Sequence, residues 1–263
     1  MAEFTRRQFL VGCSAAIAAM AGSRLTSVVM GNPLSEPNQE IMVTIFIRGG
    51  WDALNIIPPL DGADRGFYEA ARSSIQVPAN FSYQLGTSNF FFHPAAERLY
   101  DLYNSSNLAA IQATGMFISN RSHFDSMSFM ELGTPGSKVG SSGWLARHLE
   151  SANIFGGPGE QASLATGNLS PTSLLGYLDT LTLSNPNGFT LNIGPSQWRD
   201  EQRQALTSIY GGDSQIEITG SSAIASLEIV ENNLLGGYTP EPGVVYPGGG
   251  YGRDLQTIAR LIK

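Results

Sequence analysis

Cysteine is almost absent: Cys13 is the single one among 263 residues. It lies in the amino-terminal segment, so the remainder has no disulfide, no thiolate metal site and no cysteine nucleophile. Lysine is nearly as scarce, with only Lys138 and Lys263. Most positive charge is therefore arginine, which suits fixed bidentate contacts to oxyanions and equally suits surface ion pairs. Charged residues make up 14% and the net charge is −7. No Lys/Arg cluster follows the N-terminus, which argues against nucleic acid as a partner. The chain does hold 42% hydrophobic residues, enough for a core, and its 30 glycines and 14 prolines point to many loops.

Thr5-Arg6-Arg7-Gln8-Phe9-Leu10 matches the twin-arginine export pattern. The weakly apolar segment from Leu10 to Ala21 is too short to span a bilayer, so no stable membrane anchor is expected. Ala19-Met20-Ala21 fits a cleavage site, as does any position up to about Gly31. Residues 1–31 are thus read as signal peptide and leader, with the twin-arginine translocase as partner and the periplasm or exterior as destination. Leu10-Val11-Gly12-Cys13 looks like a lipoprotein box but lies too close to the arginines to leave room for an apolar region. Removing the leader leaves 12 basic and 21 acidic residues, a balance of −9. The twin-arginine route carries folded proteins, often with a metal or cofactor in place.

Ile41 to Ile47 is an apolar run of strand length, and Leu108 to Ala113 is a second. His93-Pro94 opens a helix with apolar positions at Ala95, Leu99, Leu102 and Tyr103. Another follows Ser122, with Phe124, Met127, Met130 and Glu131 on helical spacing, and Gly133 and Pro135 stop it. Gly143 to Leu149 begins a further helix. Gln161 to Thr166 and Phe189 to Ile193 read as strands, and helices follow after Ser196 and from Ser221 to Leu235, closed by Gly236-Gly237. The alternation predicts an α/β fold, an open and mostly parallel sheet with flanking helices. Tyr238 to Tyr251 reads as a Gly/Pro loop rather than a phosphate loop, since no strand feeds it and lysine is absent. The last helix, Arg253 to Lys263, ends with no capping glycine, and the chain is expected to stop in mid-domain.

Two segments could carry chemistry. Arg48-Gly49-Gly50-Trp51-Asp52 follows the first strand, and its glycines let the backbone turn sharply. Asp52 would then lie at the carboxyl edge of the sheet, where a hard metal ion can be held, although an Asp after glycines is also an ordinary turn residue. Arg121-Ser122-His123-Phe124 sits between the second strand and a helix. Ser122 followed by Asp125 is a helix-capping pattern, worth about 1 kcal/mol. A hydroxyl there also meets the positive end of the helix dipole, which favours anions. The two strand ends would bring Asp52, Ser122 and His123 together. His93 is read as ordering a helix start and His148 as facing solvent. Three histidines without a cysteine do not make a complete histidine-rich metal site.

The segments Ile45 to Asn55, Phe92-His93-Pro94-Ala95, Arg121 to Phe124, Gly143 to Arg147 and Tyr251 to Leu255 resemble, in this order, family 1501 of the domains of unknown function. The resemblance implies that 32–263 is the N-terminal part of one alkaline-phosphatase-like domain, related to sulfatases and phosphomutases. It implies a divalent metal (Zn, Ca or Mg) on Asp52, with Ser122 and His123 as further ligands. Ser122 would attack a phosphate or sulfate ester, and Arg121 or Arg48 would stabilise the anionic group. Family members continue with Gly-Phe-Asp-Thr-His-like and Ser-Glu-Phe-Gly-Arg-like segments, expected to supply the remaining ligands, so this chain alone is expected to be inactive. The alternative is a non-catalytic secreted binding or assembly protein on a degenerate hydrolase fold.

Overall fold

A computed structural model describes residues 26–30, 41–47, 51–152, 162–189, 191, 196–233 and 238–262. In chain order they form β1 (Thr26–Met30), β2 (Ile41–Ile45), α1 (Ala53–Ile56), α2 (Gly62–Ala71), α3 (Glu97–Asn104), α4 (His123–Leu132), α5 (Trp144–Ser151), β3 (Ser163–Thr166), β4 (Thr180–Leu183), α6 (Arg199–Ile209), α7 (Gln215–Asn233) and α8 (Gly250–Ile262). Short 3-10 turns intervene. The chain divides into a sheet unit, Met1–Ile47 with Ile118–Lys263, and an inserted unit, Arg48–Phe117.

The fold is mixed α/β. The sheet runs in the order β2-β1-β3-β4. β1 is antiparallel to both β2 and β3, and β3 is parallel to β4. Strands β2, β3 and β4 therefore share one direction, but only one neighbouring pair is parallel, so the sheet is mixed rather than mostly parallel. The reason is β1, which lies inside the span 1–31 read as signal and leader. Cleavage after Ala21 would keep this strand, and cleavage near Gly31 would remove it. Arg6 and Arg7, Cys13 and the cleavage sequence lie outside the described residues.

β3 is buried along its whole length because its alternate side chains enter two different cores. Ala165 packs with Leu145, Ala146 and Leu149 of α5, joined by Leu174, Tyr177 and the half-buried Met42. Leu164 points the other way, packing with Leu181 and Leu183 of β4 and Val230 of α7. Helices thus cover β3 on both faces, the arrangement expected of an α/β sheet. β4 alternates half-buried threonine with buried leucine, a period-two pattern that the sequence reading passed over.

Other expectations need correction. Leu108 to Ala113 forms no strand. Ser106 and Ala113 hold φ of 61° and 53°, in the left-handed region, so the backbone is broken on either side of the apolar run. Its side chains line cavities of the inserted unit instead. Phe189 and Leu191 also lie outside any strand, and Thr190, Asn192 and Ile193 fall outside the described residues. α7 begins at Gln215, earlier than Ser221, and Gly236-Gly237 are not among the described residues.

The inserted unit centres on Leu60, Val77 and Phe91, with Tyr83 against them. Phe92 meets Tyr100 and Tyr103 edge to face, with ring centroids 6.4 and 6.1 Å apart. The buried Arg65 donates to Glu69 at 2.6 Å and to the Pro59 carbonyl at 3.2 Å, and its guanidinium lies over the Tyr68 ring. Tyr68 in turn donates to Asn55 at 2.7 Å and accepts from the Val77 N–H at 2.8 Å. These bonds tie α1, α2 and the following loop into one frame.

Candidate functional site

Ser122 is the N-cap of α4: its hydroxyl accepts from the Asp125 N–H at 3.2 Å. Its own N–H donates to the Asn120 side chain at 2.8 Å. Gly133 ends the helix in the left-handed conformation, φ 63°, which an alanine would adopt only with strain. The buried face carries Phe129, Glu131 and Leu132, whereas Phe124 and Met130 are exposed. The helix is therefore rotated relative to the expected stripe. Ser122→Ala should cost about 1 kcal/mol and Ser122→Asp should keep most of it, read from urea unfolding midpoints.

Asp125 forms an ion pair with Lys138. That hydrogen bond holds the Asp125 carboxyl below its ordinary value, with Lys138's charge and the Ser122 hydroxyl adding to the effect against partial desolvation. A carboxyl depressed in the folded state stabilises above its unfolded value, and the stabilisation disappears as pH falls through the folded value. Stability should thus decline on acidification below about pH 4, and Asp125→Asn should flatten that part of the curve, followed by circular dichroism.

The other predicted residues are placed differently. Arg121 and His123 are exposed beside the cap. Arg48 lies outside the described residues. Asp52 is the N-cap residue of α1 but makes no side-chain cap bond; its carboxylate is paired with Arg72. Asp52 belongs to the inserted unit and Ser122 with His123 to the sheet unit. The expected route by which two adjacent strand ends would join them fails, because Leu108 to Ala113 is not a strand. Within the sheet unit the carboxyl end of β2 meets the other end of α4. A cavity of about 210 Å³ there is lined by Ile45, Phe46, Glu131, Trp144 and Ser173. Nine residues of helix separate Glu131 from Ser122, about 13 Å.

His93 accepts from the Ala95 N–H through Nδ1 at 3.0 Å, and His148 is exposed on α5. Among the described residues no three His, Cys, Asp or Glu side chains form a group able to hold a metal ion. Asp52 is engaged by a guanidinium, and the Ser122 hydroxyl accepts a backbone N–H.

The inserted unit holds a feature that sequence reasoning missed. A half-open cavity of about 710 Å³ is walled by Leu54, Ile57, Phe67, Tyr68, Phe90 and Ile111. Asp64, Arg72, Gln112 and Thr114 are polar members of its lining. The volume falls within the range of small-molecule sites, and Leu54, Phe67 and Ile111 on its walls are more than half exposed. The available signal was the spacing Asp64, Phe67, Tyr68 and Ala71 along one face of α2, with Arg72 directly after it.

Compared with protein-family models, curated proteins and solved structures, the chain matches none. Among the described residues no helix is long and apolar enough to cross a membrane.

Proposed function

We propose that this chain is exported through the twin-arginine pathway and acts as a binding protein, with the cavity of the inserted unit as its ligand site. The observation that carries the reading is the cavity itself: about 710 Å³, with apolar and aromatic walls and a few polar groups. The Arg6-Arg7 leader supports export. The mixed α/β sheet is compatible with a degenerate alkaline-phosphatase-like fold of the kind implied by the family 1501 resemblance. Ala71 lines the cavity and is exposed, so Ala71→Trp should fill the space without disturbing the core. The neutral dye Nile red should bind the exported protein at about one per chain, and the variant should lose it. Dye uptake unchanged by Ala71→Trp would remove the reading.

A second reading, hydrolysis of a phosphate or sulfate ester, is favoured by one observation: the Ser122 hydroxyl stands at the start of α4, where the helix dipole favours an anion. Turnover of 4-nitrophenyl phosphate or sulfate, lost in Ser122→Ala but retained in Asp125→Asn, would support it. Absence of turnover in the exported protein would leave Ser122 as a cap.

A further inference from the structure

We infer that the ligand of the inserted unit's cavity is an amphipathic monocarboxylate, its carboxylate on Arg72 and its apolar body along α2. The inference rests on the binding reading above and names the ligand class.

The Arg72 side chain is only 22% exposed and lines the cavity. Its Nη1 donates to Asp52, and its other N–H groups have no partner among the described residues. A guanidinium presents five donors in a planar fork suited to a carboxylate, so one edge can serve Asp52 while another stays open to a ligand. A mostly buried cation with unused donors beside apolar walls is complementary to an anionic head carrying an apolar tail. Gln112, half-buried in the same wall, has an amide with no partner among the described residues and can add a donor.

The tail follows from the walls. Phe67, Tyr68 and Ala71 stand on α2 between the two charged members, Asp64 and Arg72. Asp64 stands in the first turn of α2, and Arg72 caps the opposite end. Both line the cavity, so a carboxylate anchored on Arg72 leaves Asp64 to disfavour a second negative charge towards the other end of the helix. The site selects a monoanion over a dianion of the same length. Ala113, also in the wall, holds φ 53°, a left-handed conformation in a residue with a Cβ, and such strain tends to be kept at ligand sites.

The test uses the exported full chain, with Nile red as reporter and three competitors of equal length: dodecanoate, dodecanol and dodecanedioate. Dodecanoate should displace the dye at concentrations about tenfold to a hundredfold below those of the alcohol, the range of one charge-assisted hydrogen-bonded contact. The diacid should be weaker than the monoacid. Arg72→Gln should abolish the preference for acid over alcohol. Should Arg72→Gln fail to fold, Asp52→Asn gives a test of opposite sign: releasing Arg72 from its carboxylate should tighten dodecanoate severalfold and leave dodecanol unchanged. Equal competition by acid and alcohol, or a preference unaltered in both variants, would overturn the ligand class while the binding reading stands. Failure of Nile red itself to bind would overturn both.

Discussion

Gly143→Ala is expected to destabilise the sheet unit by about 3 kcal/mol, the upper end for overpacking. Gly143 has unremarkable dihedrals, φ −76° and ψ 165°, so the argument is one of space alone. A Cβ there would overlap the carbonyl of Ser173 and the carbonyl oxygen of Thr172. Both are backbone atoms and cannot swing aside as a side chain would. The Gly143 N–H also donates to the Leu175 carbonyl at 2.9 Å, which fastens the start of α5 to the same turn. Relief would require that turn to move, and with it Leu174, which is 1% exposed in the core shared with Leu145 and Leu149. The cost therefore spreads into the packing of α5 on β3. Urea unfolding should show a lower midpoint with an unchanged slope. Gly66→Ala is the control: nothing lies within 4 Å of the added carbon, and a helix-interior alanine should stabilise by about 0.5–1 kcal/mol.

Phe91→Ala should remove about 3–5 kcal/mol from the inserted unit. The ring is fully buried against Leu60, Val77 and Tyr83, and its backbone N–H donates to the Pro58 carbonyl at 3.2 Å. A small unit of marginal stability cannot lose that much and stay fully folded. Amide exchange in peptides covering α2 and α3 should rise towards unprotected rates. Nile red binding should fall with it, because the neighbouring Phe90 forms part of the cavity wall. Phe91→Leu, closer in volume, should cost about 1.5 kcal/mol or less and retain the dye.

Much of the helical frame was legible because its signals are local. Ser122 with Asp125, Gly133 after Leu132, and His93 before Pro94 act through bonds only a few residues apart. The strands were less legible, since an apolar run does not say what it pairs with. Leu108 to Ala113 has a strand's composition but is interrupted by left-handed residues at Ser106 and Ala113, which neither side chain announces. β4 was missed although Thr180 to Leu183 alternates, because two threonines and two leucines carry little apolar weight. At the candidate site, the cap on α4 follows from sequence, but the partner of Asp52 does not. Arg72 lies 20 residues away and reaches it through the fold of the inserted unit. The cavity was hidden for the same reason: its walls are drawn from α1, α2, Phe90 and the segment after Leu108, which only tertiary structure gathers.

Strand β2 closes one side of the sheet, and Ile41, Val43 and Ile45 are 42%, 37% and 42% exposed along it. From Ile41 to Ile47 the chain has no charge and no proline, the usual guards of such an edge. Dispersal of the molecules in solution then depends on long-range repulsion between like-charged copies, supplied by a net charge of −7. That repulsion reaches roughly 30 Å at 0.01 M ionic strength and only about 8 Å at physiological salt. Light scattering should therefore show association growing as sodium chloride is added, making ionic strength the variable that decides how long this protein remains a colloid of single chains.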